Sequence, residues 1–114
     1  MKFLIAFCCI VFWAVGASAQ GCHEIKFTRG ASSGEVSGQV SETESLCFTF
    51  GSGAGQTARL EIFGSENACF VVDGIVDCTD DFTFTTQRRM YQVYVYQLFR
   101  SLGVEQFRLR LTIY

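Results

Sequence analysis

The sequence predicts an all-β fold: a two-sheet antiparallel β-sandwich of about nine short strands, held by two disulfides and preceded by a cleaved signal peptide. Apolar and polar residues alternate along almost every segment after residue 20, with β-branched and aromatic residues on the apolar side and no helical spacing. Clusters of glycine and serine punctuate these segments at short intervals. The ten residues 69–78, CFVVDGIVDC, set two cysteines symmetrically about an Asp-Gly pair between apolar runs, which is the pattern of a cross-linked hairpin.

Residues 1–19 read as the signal peptide. Lys2 supplies a basic start, residues 3–15 form an uncharged apolar run, and Ala17-Ser18-Ala19 has the small-x-small form that predicts cleavage before Gln20. The run is too short for a bilayer span, and no later segment is long and apolar enough for one. Cys8 and Cys9 leave with the leader, and residues 20–114 remain as one domain. The expected location is extracellular, or periplasmic in a bacterium, where disulfides persist.

Taken in order, Ile25 and Phe27 begin the alternation, and Val36 and Val40 continue it across Gly38. Leu46, Phe48 and Phe50 form the next apolar face, followed by Ala58, Leu60 and Ile62. The hairpin supplies two strands, and Phe82 and Phe84 alternate with threonines in another. Residues 90–98 make a longer strand rich in Tyr and Val. The last strand is the most regular, with Phe107, Leu109, Leu111 and Ile113 on one face and Gln106, Arg108, Arg110 and Thr112 on the other. Gly30-Ala31-Ser32-Ser33-Gly34 and Gly51-Ser52-Gly53-Ala54-Gly55 are turns and not phosphate loops, since no Lys-Ser/Thr follows either.

A two-residue type I′ turn at Asp73-Gly74 places Val72 opposite Ile75, Val71 opposite Val76, Phe70 opposite Asp77 and Cys69 opposite Cys78. That last pair is then non-hydrogen-bonded, with Cα atoms about 4.5 Å apart, within reach of a disulfide. Cys22–Cys47 follows by elimination. Each bridge stabilises the domain by about 3 kcal/mol in the chain-entropy account. The spacings of 25, 22 and 9 residues contain no C-x2-4-C pair, so a zinc site is set aside and no metal is expected.

The domain carries eight basic and eleven acidic residues. Residues 20–86 hold Lys26, Arg29 and Arg59 against ten acids, whereas residues 87–114 hold five arginines against Glu105. This acidic total argues against nucleic acid as a partner. The basic end remains a candidate contact for a carboxylate-rich protein. His23, the single histidine, has no nucleophile or orienting acid signalled near it. Asp77, Asp80 and Asp81 match no defined calcium loop. No acid/base constellation stands out, so an enzyme is not expected and no cofactor is called for.

The block Ile25-Lys26-Phe27-Thr28-Arg29-Gly30-Ala31-Ser32-Ser33, followed by Val36-Ser37-Gly38, resembles the opening of a family of small secreted β-sandwiches. That family includes bacterial pre-peptidase C-terminal-like domains and the periplasmic inhibitors of invertebrate-type and goose-type lysozymes. Ala54-Gly55-Gln56-Thr57 leading into Leu60-Glu61-Ile62 is similar to its AGQT turn and following strand. Tyr91-Gln92-Val93-Tyr94-Val95-Tyr96, the loop containing Arg100 and the strand from Phe107 are similar to its last two strands. The resemblance implies a jelly-roll-like sandwich that binds a partner, with lysozyme-type hydrolases as the expected target class. The inhibitors' S-G-x-x-Y-type motif is missing; residues 78–91, where it is expected, contain no such run.

On this reading the candidate binding residues are Arg88, Arg89 and Tyr91 ahead of the Tyr-rich strand, and Phe99, Arg100 and Ser101 in the loop after it. A glycosidase cleft carries two carboxylates. An arginine on a protruding loop can pair with one of them in bidentate geometry while an adjacent aromatic excludes water. The alternative is a carbohydrate-binding module whose exposed tyrosines, Tyr94 and Tyr96 among them, stack on a glycan.

Overall fold

The computed structural model describes residues 21–114. The predicted signal peptide and its cleavage site lie outside the described residues. Among the described residues there are nine strands: β1 Cys22–Glu24, β2 Ser33–Val40, β3 Leu46–Ser52, β4 Thr57–Phe63, β5 Ala68–Val72, β6 Val76–Thr79, β7 Asp81–Thr85, β8 Arg89–Gln97 and β9 Glu105–Ile113. They form a five-stranded sheet in the order β1-β3-β8-β5-β6 and a four-stranded sheet in the order β2-β9-β4-β7. From β2 onward, successive strands cross between the sheets except at the β5–β6 hairpin, which is the interleaving of a jelly roll. The sandwich and both disulfides are as the sequence predicts.

The alternating residues supply the two inner faces. Phe48, Phe50, Phe70 and Val93 from one sheet meet Leu60, Phe107, Leu109 and Leu111 from the other, all at most 3% exposed. Each such side chain contributes about 1.5–3 kcal/mol through burial. Two aromatic contacts couple the layers. Phe48 meets Phe107 edge-on at 6.3 Å, and Tyr91 stacks on Phe50 at 5.2 Å while meeting Phe84 edge-on at 5.3 Å. Among the described residues Thr86 is the one buried polar side chain. Its hydroxyl donates to the Gly53 carbonyl at 2.7 Å and accepts from the Gln56 N–H at 3.2 Å, stitching the Ala54-Gly55-Gln56-Thr57 turn to the β7–β8 connection.

Three local expectations are corrected. Ile25 and Phe27 lie just past β1 and not within a strand. Ile25 still donates its N–H to the Thr49 carbonyl at 2.8 Å, after which the chain crosses to the other sheet, so the alternation marks inward packing along a crossover. β1 pairs with β3 in parallel, so the five-stranded sheet is antiparallel except at that edge. The hairpin register is also shifted. The Ile75 N–H closes the turn on the Val72 carbonyl at 2.9 Å, and Gly74 takes φ of 78°, but the ladder pairs Val72 with Val76 and Phe70 with Thr79. One extra residue thus lies on β6, a β-bulge at Asp77 and Cys78. Two positions after inward-facing Val76, a regular strand would aim Cys78 at the core. The extra residue returns it to the outer face, where Cys69 lies, and the Cα atoms stand 5.1 Å apart.

Candidate functional site

β8 runs through the middle of the five-stranded sheet, and the predicted site residues hang from its two ends. Arg88, Arg89 and Tyr91 lie at its start, and Phe99, Arg100 and Ser101 in the loop beyond its finish. Eight residue steps of strand, roughly 26 Å, separate Arg89 from Gln97. The two groups are therefore on opposite ends of the sandwich and do not form one site.

At the first end, Tyr91 leaves the candidate set, because its ring is 1% exposed and forms part of the aromatic core. Its hydroxyl accepts the Gln87 N–H at 2.8 Å, which gives the buried phenol a partner. Arg89 lies over that ring at 4.5 Å from its centroid and donates its Nε–H to the Met90 carbonyl at 3.1 Å. Arg88 is exposed. Nearby, the crossover after β1 and the β3–β4 turn enclose an open groove of about 830 Å³, lined in part by Lys26, Ser32, Gly53 and Gln56.

The other end has a different character. Residues 98–104 carry four exposed apolar side chains: Leu98, Phe99 at 71%, Leu102 at 101%, and Val104. Arg100 is exposed among them, and among the described residues it makes no ion pair. A loop this apolar would ordinarily fold onto the core, but its backbone is held away from it. Asn67, just before β5, receives the Phe99 N–H on Oδ1 at 2.8 Å and donates from Nδ2 to the Phe99 carbonyl at 2.9 Å. Gln97 donates to the Gly103 carbonyl at 2.9 Å and accepts the Ser101 N–H at 3.3 Å. Ser101, a predicted contact residue, is half-buried and engaged with Gln97 through its hydroxyl as well, at 3.3 Å.

Sequence reasoning picked out Phe99 and Arg100 but missed Leu98, Leu102 and Val104, and it missed the two amides that hold the loop. The available signal was the end of the period-two pattern at Gln97, beyond which apolar residues have no inner face to occupy.

The remaining candidates are quiet. His23 is exposed and tilted 6.5 Å from Phe48. Among the described residues no three His, Cys, Asp or Glu side chains converge as a metal site, and no helix is long and apolar enough to cross a membrane. The outer face of the four-stranded sheet is a salt-bridge lattice. Arg59 grips Asp81 in bidentate geometry at 3.0 and 2.8 Å, which holds the Asp81 carboxyl below its ordinary pKa, chiefly through that hydrogen bonding. Arg110 donates to Glu35 at 2.7 Å and lies over the Phe63 ring at 4.6 Å. On the opposite outer face, half-buried Tyr94 lies between Cys47 and Val71, and half-buried Tyr96 lies beside Cys69. Burial raises the Tyr96 phenol pKa, with Asp77 and Tyr94 adding to the effect.

No protein-family model matches the chain, and no curated protein matches it. Solved structures do. PliG of Aeromonas hydrophila, a periplasmic lysozyme inhibitor of g-type lysozyme, superposes with a TM-score of 0.71 at 24% identity over 82% of this chain and 96% of that one. PliG of Salmonella Typhimurium, described in the same words, gives 0.67 at 18% identity over 84% and 100%. The pre-peptidase C-terminal domain of a collagenase from Bacillus anthracis gives 0.57 at 10% identity over 87% and 100%. At these identities the likeness is one of fold, the same fold that the sequence resemblance implies.

Proposed function

We propose that the chain is a secreted, non-enzymatic protein that inhibits a lysozyme-type glycoside hydrolase by seating residues 98–104 in the enzyme's cleft. One observation carries this reading. The loop presents Phe99, Arg100 and Leu102 outward on a backbone tied down by Asn67 and Gln97. Apolar side chains flanking a single unpaired arginine suit a cleft whose floor is a pair of carboxylates. The arginine pairs with a carboxylate, and its neighbours exclude the water that would weaken that pairing. The shared fold with two inhibitors of g-type lysozyme supports the target class. The disulfides and the expected signal peptide over residues 1–19 support export.

The carbohydrate-binding alternative draws little from the structure. Tyr91 is in the core, and the half-buried rings of Tyr94 and Tyr96 are flanked by disulfide cysteines.

The test is inhibition of cell-wall lysis by goose-type lysozyme, with chicken-type and invertebrate-type enzymes in parallel. Inhibition of at least one, weakened about thirtyfold or more by Arg100→Ala, is expected if the arginine meets a desolvated carboxylate. Inhibition of none of the three would end the proposal.

A further inference from the structure

We infer that Asn67 and Gln97 are positioning residues of the inhibitory loop, fixing residues 98–104 in the shape that engages the target before the target arrives. The inference rests on the proposed inhibitory role of that loop and names what sets its geometry.

The Asn67 side chain meets the backbone of Phe99 at two points, 2.8 and 2.9 Å, as a neighbouring strand residue would. The Asn67 carbonyl accepts the Leu98 N–H at 2.9 Å. The β5–β8 ladder ends at Ala68 and Gln97, so Asn67 extends that pairing one step past the end of the sheet. Asn67 is itself fixed, since its N–H donates to the Ser65 hydroxyl oxygen at 3.0 Å while that hydroxyl donates to Glu105 at 2.6 Å. Gln97 spans the base of the loop, reaching Ser101 and Gly103 from one side chain.

The two amides thus satisfy the polar backbone of the loop without covering its apolar side chains. Phe99 and Leu102 remain in water, although a free loop would gain by folding them inward. A loop held in this way loses little conformational entropy when it binds, so its contacts convert to affinity with less lost to ordering. If Asn67 and Gln97 served only the fold, their removal would change stability and leave inhibition alone.

Two measurements on the purified full chain test this. In the free protein, Asn67→Ala and Gln97→Ala are expected to accelerate hydrogen exchange of the Phe99 and Ser101 amides respectively, while the amides of β3 and β8 stay protected. Against whichever of the three lysozymes the wild type inhibits, each variant is expected to inhibit about ten- to a hundredfold less well, with an unchanged melting temperature. Asn67→Asp, which keeps the acceptor and loses the donor, is expected to fall between wild type and Asn67→Ala. Faster exchange with undiminished inhibition would overturn the positioning role, as would Phe99 and Ser101 amides that are already unprotected in the wild type. A wild type that inhibits nothing would instead end the inhibitory reading and take the inference with it; exchange in the free protein separates the two failures.

Discussion

Phe99→Ala tests the loop most directly, and its size follows from exposure. An aromatic side chain presents about 200 Å², and 71% of Phe99 is open to solvent. A cleft that covered this open part would bury about 140 Å², or about 3.5 kcal/mol at 25 cal/mol per Å². Association does not realise the full area term, so about 2–3 kcal/mol is expected, a loss of roughly thirty- to 150-fold in Ki. Stability is expected to change by less than about 0.5 kcal/mol, since the residue is mostly in solvent and the bonds to Asn67 use the Phe99 backbone, which alanine retains. Lysis of cell walls by goose-type lysozyme, titrated with each protein, gives the two Ki values, and thermal melts control for folding. If the wild type inhibits and the variant does so within threefold, the loop does not enter the cleft.

Arg88→Ala combined with Arg89→Ala, at the opposite end of β8, is expected to leave Ki unchanged in the same titration. A loss matching that of Arg100→Ala would move the contact to that end. Reducing or replacing the bridges is expected to cost an amount that rises with the logarithm of loop length, about 2.5 kcal/mol for Cys69–Cys78 across 9 residues and about 3.5 for Cys22–Cys47 across 25, read from urea denaturation of Cys→Ala pairs. Asp81 has a folded-state pKa lowered by Arg59, so its contribution is present above the unfolded carboxylate value of about 4 and is lost as pH falls through the lower folded value. Denaturation from pH 6 to pH 2 is therefore expected to show a shallower acid limb for Asp81→Asn than for the wild type.

Much of the fold was legible because a strand writes its orientation into every second residue. The alternation at Phe107, Leu109, Leu111 and Ile113 reads the same in the chain and in β9, and the cysteine spacing around Asp73-Gly74 yields the correct bridge. The bulge on β6 was not legible, because an extra residue in a short strand leaves the hydrophobic pattern almost unchanged. Likewise Ile25 and Phe27 point inward as their pattern demands, yet pattern alone cannot tell a strand from a crossover that packs the same way.

Local chemistry along the chain determined the two-layer architecture, the cysteine pairing and the prominence of Phe99 and Arg100, because turn residues, two-residue periodicity and charge are properties of neighbours. Tertiary structure alone decided that Tyr91 is core, packed on Phe50 and Phe84. It alone brought Asn67 from the β4–β5 loop to the backbone of Phe99. These outcomes join residues far apart in sequence, and only the packing of both sheets sets their distances.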